Sequence, residues 1–128
     1  MSLEISIQEL PGYLRVEVSG TRTTGSEKQE AVKLFSRVAE ACRASGMDRI
    51  LVISRATGRI PTLEGYEVAG HSEEFGWSRD YKLALVDLNE ESLQDNLFAE
   101  TVAVNRGFNV KVFDNVKEAE IWLLVSQH

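Results

Sequence analysis

Two uninterrupted apolar runs most constrain what this chain of 128 residues can fold into: residues 50–53, Ile-Leu-Val-Ile, and residues 83–86, Leu-Ala-Leu-Val. A strand with one wet face alternates apolar and polar residues, whereas a strand covered on both faces is apolar throughout. Segments with helical patterns separate the strands that follow one another along the chain. This alternation predicts an α/β domain with a mostly parallel sheet and right-handed crossovers.

Three further strands are predicted from apolar residues that alternate with polar ones. The alternating residues are Leu3, Ile5 and Ile7, then Leu14, Val16 and Val18, and later Phe108, Val110 and Val112. Pro11 and Gly12 suit the two central positions of a type II turn, so the first two strands read as an antiparallel hairpin. The strand at residues 108–112 is predicted to lie nearer an edge of the sheet.

Four helices are predicted from apolar residues at helical spacing and from capping signals. They begin at Ser26, near Thr62, near Asn89 and at Asn115, and the capping-box partners of Ser26 and Asn115 are Gln29 and Glu118. Gly46 ends the first helix and Gly107 ends the third. The apolar residues along the third helix are Leu93, Leu97, Phe98 and Val102. The predicted order is β-β-α-β-α-β-α-β-α, with about five strands. No linker or repeat interrupts it, so residues 1–128 are interpreted as a single domain.

Charge and cysteine content narrow the partners and the compartment. Residues 1–64 carry 9 Lys/Arg and 8 Asp/Glu, whereas residues 65–128 carry 5 and 12, so the acidic second half accounts for the net charge of −6. Such a half repels phosphate backbones and anionic lipids, which argues against nucleic acid as a partner. Cys42 is the only cysteine and sits on an apolar helical stripe, which predicts a core residue. No signal peptide or membrane span is recognisable, so a cytoplasmic protein is expected.

The motifs that resemble catalytic or metal sites are incomplete. Residues 20–27 have the glycine spacing of a phosphate-binding P-loop, but Ser26 and Glu27 stand where lysine and a hydroxyl residue are needed. His71 with Glu73 matches half of a zinc deaminase motif, and the acidic residues from Asp87 match only the start of a calcium loop. The sequence therefore predicts no catalytic residue, no metal and no cofactor.

Two segments stand out as candidate binding regions. Residues 55–65 follow a buried strand and lead into a helix. They are expected at the carboxyl ends of the strands, where open α/β folds bind ligands and partners. Residues 66–81 are rich in aromatics, which suggests a lid over an apolar cavity or an interface patch, with simple packing against the sheet as the alternative. The candidate partner- or ligand-binding residues are Thr57, Arg59, Thr62, Leu63, Glu64, Gly65, Tyr66 and Trp77.

Several short segments resemble the SpoIIAA-like family, small bacterial proteins similar to anti-sigma-factor antagonists and to the STAS domains of sulfate transporters. The resembling segments are the opening hairpin, residues 18–20 (Val-Ser-Gly), 49–52 (Arg-Ile-Leu-Val), 82–86 (Lys-Leu-Ala-Leu-Val) and 112–114 (Val-Phe-Asp) with Glu118, Ala119, Trp122 and Leu123. The resemblance implies the STAS fold over nearly the whole chain, and it carries no catalytic fingerprint.

In phosphorylation-switched STAS proteins the helix after the third strand opens with Asp-Ser-Ser/Thr-Gly, and the first serine takes the phosphate. If Gly65 is placed on that glycine, Leu63 occupies the phosphoacceptor position beside the negative Glu64. A shift by one residue offers Thr62 instead, but the glycine then no longer matches. The resemblance also extends to Sec14-type lipid-binding domains, which implies an apolar ligand between helices and sheet.

Two functions follow as expectations. The first is a non-enzymatic regulatory or interaction module that binds a protein partner through residues 55–65 and the helix after them. The alternative is a binding domain for a small apolar molecule or lipid, with residues 66–81 as its lid. A homodimer is also conceivable through either predicted edge strand, because an edge leaves backbone groups unpaired.

Overall fold

The sheet has five strands that lie side by side in chain order. The computed structural model describes residues 3–60, 67–68 and 71–125, and it describes only the backbone of Ser72 and Phe75. The strands are β1 (Leu3–Leu10), β2 (Tyr13–Gly20), β3 (Arg49–Ser54), β4 (Lys82–Asp87) and β5 (Asn109–Phe113). The described α-helices are α1 (Glu27–Ser45), α2 (Glu90–Asn105) and α3 (Val116–Leu124), and a 3-10 helix spans Ser72–Phe75.

The opening hairpin is confirmed. β1 pairs antiparallel with β2, and Leu10 faces Tyr13 across the turn. Gly12 has φ +90°, the positive value that a type II turn requires at its second central residue. β2, β3, β4 and β5 are all parallel to one another, so the mixed and mostly parallel α/β sheet is confirmed.

Two layers of core explain why β3 and β4 are apolar throughout. Ile50 and Val52 point to the face covered by α1 and α2, whereas Leu51 and Ile53 point to the face covered by α3. Cys42 of α1 is buried in the first layer, which confirms its interpretation as a core residue. The parity of strand residues thus assigns each apolar side chain to one of two separate clusters.

The strands at the two ends of the sheet are β1 and β5, as the alternating patterns predicted. β5 begins at Asn109, and Phe108 is a buried loop residue just before it rather than the first strand residue. At this edge the backbone N–H of Val112 donates to Glu100 Oε1 of α2 over 2.7 Å. One backbone N–H that a second strand would need in order to pair with β5 is therefore already bonded to a carboxylate.

The capping predictions hold at four helix ends and fail at one, and one of the four is Gly107, which follows the end of α2 with φ +90°. Gly46 ends α1 in the left-handed region, and Asn89 and Asn115 accept backbone hydrogen bonds at the starts of α2 and α3. The capping box of Ser26 was wrong, because the Ser26 side chain makes no capping hydrogen bond. The predicted helix start near Thr62 lies outside the described residues, and residues 67 and 68 are helical.

The orientation of α2 differs from what its apolar residues suggested. Leu97 and Phe98 are exposed, whereas polar Ser92 and Asn96 are buried against the sheet. The reason is a buried carboxylate, Asp87 at the end of β4, which both polar side chains contact. Satisfying that charge with hydrogen bonds outweighs burying two more apolar side chains on the same helix.

Candidate functional site

The post-β3 loop, residues 55–60, extends the sheet beyond the end of β3. The N–H of Thr57 donates to the carbonyl of Gly20 over 2.9 Å, and the N–H of Arg22 donates to the carbonyl of Thr57 over 3.0 Å. The hydroxyls of Thr21 and Thr57 lie 3.0 Å apart. These contacts hold the first half of the loop in one extended conformation at the carboxyl end of the sheet.

The Arg22 side chain holds the turn of the loop through a hydrogen bond. Its guanidinium Nη1 donates to the carbonyl of Gly58 over 2.7 Å. Gly58 has φ +96°, and a Cβ there would lie 3.3 Å from Arg22 Cβ, so glycine meets both the backbone and the space requirement. Burial lowers the pKa of the Arg22 guanidinium, while nearby Asp87 and Asp95 act in the opposite direction.

Arg59 ties the second half of the loop to α2. Its Nε and Nη2 donate to the two carboxylate oxygens of Asp95 over 2.8 and 2.7 Å, and the N–H of Ile60 donates to the same carboxylate. The Asp95 side chain is only 7% exposed, whereas that of Arg59 is 59% exposed. The hydrogen bonds from Arg59 lower the pKa of the Asp95 carboxyl, and the Ile60 N–H adds to the effect against the opposing cost of burial.

Local carboxylates neutralise the arginines of this loop. Arg55 lies 3.3 Å from Glu17 of β2, and Arg59 is paired with Asp95. One of these carboxylates, Asp95, belongs to the acidic second half of the chain. The site presents paired charges rather than an open basic surface.

A buried polar cluster that was not predicted from the sequence lies beside the loop. Asp87 is 1% exposed, and its carboxylate accepts from Ser92 Oγ over 2.7 Å, from Asn96 Nδ2 over 2.6 Å and from the N–H of Asn89 over 3.0 Å. Asn89 Nδ2 also donates to the carbonyl of Ala56, which connects the cluster to the post-β3 loop. The available signal was the spacing of Ser92 and Asn96, four residues apart on one helical face.

The structure brings two of the eight predicted site residues together. Thr57 and Arg59 lie on the post-β3 loop, and the prediction for Thr62, Leu63, Glu64, Gly65 and Tyr66 falls outside the described residues. Trp77 lies elsewhere, in the core between α1 and the sheet. It is 7% exposed and makes edge-to-face contacts with Phe35 and Tyr81, so it has little surface to offer a protein partner.

Trp77 lines a cavity of about 110 Å³ between α1, α2 and the sheet. The walls are almost entirely apolar. They include Phe35, Leu85, Ala99, Ala103, Phe108 and Val110. Asn96 and Glu27 also line a neighbouring cavity of about 60 Å³, next to Arg22.

The loop that mimics a P-loop has its backbone donors occupied by carboxylates. The N–H of Gly25 donates to Glu27 Oε1 over 2.9 Å, and the N–H of Thr23 donates to Glu30 Oε1 over 3.1 Å. Phosphate would meet these two carboxylates at close range, which disfavours its binding. His71, the histidine of the incomplete zinc motif, contacts the exposed side chain of Glu74.

No group of three or more metal-ligating side chains is found in residues 3–60, 67–68 and 71–125. Over the same part of the chain, none of the helices combines the length and apolar character that crossing a membrane requires.

Comparison with known proteins identifies the fold. No protein-family model matches the chain, and its sequence matches no curated protein. The structure is similar to that of an anti-sigma factor antagonist from Mycobacterium paratuberculosis, with a TM-score of 0.56 at 10% sequence identity, over 95% of this chain and 94% of that chain. The resemblance to the SpoIIAA-like proteins is thus confirmed at the level of the fold, which this chain shares with an anti-sigma factor antagonist.

Proposed function

We propose that this protein is a non-enzymatic regulatory module that binds a protein partner through the post-β3 loop and the adjoining flank of α2. The shared fold with an anti-sigma factor antagonist supports a regulatory role of this general type. Because one fold hosts many functions, the argument for partner binding has to come from the residues of the site.

The observation that carries the proposal is the bidentate pair of Arg59 and Asp95. It anchors an otherwise exposed loop through a carboxylate that is itself buried. Together with the contacts of Thr57 to β2, the pair holds the loop in one conformation before any partner arrives. A preorganised loop loses less conformational entropy on association, which favours affinity.

The flank of α2 beside the loop offers an apolar anchor. Phe98 is 43% exposed, and it lies three residues after Asp95, so the two side chains are neighbours on the helix surface. Glu91 lies one turn before Asp95 and acts electrostatically on Arg59. Arginine and aromatic side chains dominate the binding energy of many protein interfaces, and here an exposed example of each stands on either side of Asp95.

The chemistry of the same groups argues against catalysis. An acid–base catalyst works best with a pKa near the operating pH, but the hydrogen bonds from Arg59 lower the pKa of Asp95 further from neutrality. The proposed interface also includes Thr62, Leu63, Glu64, Gly65 and Tyr66, which follow the loop in the sequence. Phosphorylation of Thr62 would add a dianion close to Arg59 in the sequence. This phosphorylation is the proposed means of regulation, on the alignment shifted by one residue that places Thr62 at the family's phosphoacceptor position.

The test begins with affinity capture from the native host, followed by binding measurements with the purified candidate partner. Arg59→Ala and Phe98→Ser are each expected to weaken binding by about tenfold or more. Arg37→Ala is the matched control, since Arg37 is an exposed arginine of α1. Equal affinity of all variants, or capture of no specific partner, contradicts the proposal. Circular dichroism verifies that each variant is folded.

A further inference from the structure

The cavity between α1, α2 and the sheet is larger than a single water molecule. Protein interiors pack as densely as organic crystals and contain few voids larger than a water molecule. The cavity measures about 110 Å³, which approaches the volume of about 150 Å³ of an engineered apolar cavity that binds benzene. It is well below the range of about 300–1,000 Å³ for sites of drug-sized ligands, so its size fits a compact molecule better than a lipid chain.

The walls of the cavity favour an aromatic ring. Phe35 and Trp77 are already in edge-to-face contact there, with ring centroids 5.6 Å apart, and Phe108 and Leu85 contribute further apolar surface. Aromatic rings gain from edge-to-face and offset contacts beyond simple area burial. A planar ring of similar size can make the same contacts with this wall.

Four polar or charged residues line the cavity, Glu27, Lys28, Asn96 and Glu100, and among them only Asn96 is buried. Asn96 is 8% exposed, and its Nδ2 donates to Asp87 Oδ2 over 2.6 Å. The remaining polar atom of this side chain is the amide oxygen, Oδ1, which is a hydrogen-bond acceptor. No hydrogen bond to Asn96 Oδ1 occurs within residues 3–60, 67–68 and 71–125.

An amide oxygen buried without a donor is unfavourable, and buried polar atoms in native proteins nearly always have partners. We propose that this cavity binds a compact aromatic molecule carrying one hydrogen-bond donor, of the phenol type, whose hydroxyl donates to Asn96 Oδ1. The ring then packs against Phe35 and Trp77. The hydrogen bond to Asp87 holds the Asn96 side chain in place before the ligand enters.

The experiment compares phenol with benzene as probes of the full-length protein, by NMR titration and thermal denaturation. In a purely apolar cavity phenol binds at least about tenfold more weakly than benzene, because its hydroxyl is buried without a partner. With the acceptor of Asn96 present, phenol is expected to bind at least as tightly as benzene. At ten times its Kd, phenol is expected to raise Tm by about 5 °C.

Two variants of α2 locate the binding. Ala103→Leu extends a side chain that lines the cavity and is expected to abolish binding of both probes, and Ala99→Leu is a second filling variant in case the first does not fold. Thr101→Leu is the control, since Thr101 lies on the same helix but faces solvent. Phenol binding that survives both filling variants, or a preference of about tenfold for benzene, overturns the proposal. This result is independent of the partner measurement, which uses different residues and no small molecule.

Discussion

Removal of the Ser92 hydroxyl tests whether the buried cluster around Asp87 stabilises the fold. Ser92 Oγ donates to Asp87 Oδ2 over 2.7 Å, and both residues are essentially inaccessible to solvent. Ser92→Ala leaves the carboxylate with one donor fewer and brings no water to replace it. A hydrogen bond to a charged group contributes about 1.5–3 kcal/mol to stability.

The helical position of Ser92 offsets part of that loss. Alanine is a better helix former than serine by up to about 0.5 kcal/mol, so a net decrease of about 1–2.5 kcal/mol in the free energy of unfolding is expected. For a domain of this length the decrease corresponds to a fall in Tm of about 4–10 °C. Urea unfolding followed by circular dichroism measures the change directly.

The matched control is Ser36→Ala, a substitution of the same type in the middle of α1 that lies outside the Asp87 cluster. It is expected to change stability by no more than about 0.5 kcal/mol, in the stabilising direction. A double-mutant cycle of Ser92→Ala with Asn96→Ala is expected to show coupling of about 0.5–3 kcal/mol, because both side chains donate to the same oxygen. If Ser92→Ala behaves like Ser36→Ala, the cluster is not what orients α2, and the reasoning fails.

Three other predictions follow from single groups. Burial raises the pKa of the Cys42 thiol to about 11, so at about pH 8 a thiol reagent is expected to react quickly only after addition of denaturant; fast reaction of the native protein would contradict this. The pKa of Asp95 lies below its ordinary value of 3.8 when folded, so its stabilising contribution is complete well above that value and is lost as the pH falls through the folded pKa. The difference in urea midpoint between wild type and Asp95→Asn should therefore shrink in acid, and growth of the difference would refute it. Glu100→Ala frees the N–H of Val112 at the β5 edge and is expected to promote concentration-dependent association in sedimentation experiments. Glu100→Gln keeps a hydrogen-bond acceptor and should behave as wild type. Identical behaviour of the wild type and both variants would count against the proposal that Glu100 blocks the edge.

Of the two edge strands considered for homodimerisation, β5 is disfavoured by its contact with Glu100. With Glu100 bound to the N–H of Val112, strand pairing through β5 first has to displace a hydrogen-bonded carboxylate. β1, at the opposite end of the sheet, is the edge that remains to be considered for self-association. Dimerisation through β1 stays a prediction, and the sedimentation experiment on the wild type addresses it.

Much of the fold was predictable because its signals are local or periodic. The apolar runs at residues 50–53 and 83–86 predicted doubly covered strands, and β3 and β4 lie between two layers of helices. Gly12, Gly46 and Asn115 act through backbone geometry or capping within a few residues of themselves. Such effects depend little on the rest of the chain, so the sequence is sufficient to anticipate them.

The predictions that failed or stayed open depend on distant partners. The pattern of α2 suggested that Leu97 and Phe98 face the core, but the helix is oriented by Ser92 and Asn96 toward Asp87 on a neighbouring strand. The composition of residues 66–81 left open whether Trp77 covers a cavity, forms an interface or packs on the sheet, and the side chain is in contact with Phe35 and Tyr81. In both cases the outcome depends on which groups lie opposite after folding.

The sequence by itself determined a mostly parallel α/β sheet, its two exposed edge strands and several helix ends, since strand period, turn chemistry and capping are properties of short segments. Only the tertiary structure decided the pairing of Arg59 with Asp95, 36 residues away, the burial of Asp87 beneath α2, and the cavity beside Asn96. These features arise where separate elements meet, and a carboxylate selects its partners by distance and burial in space, which no local pattern encodes.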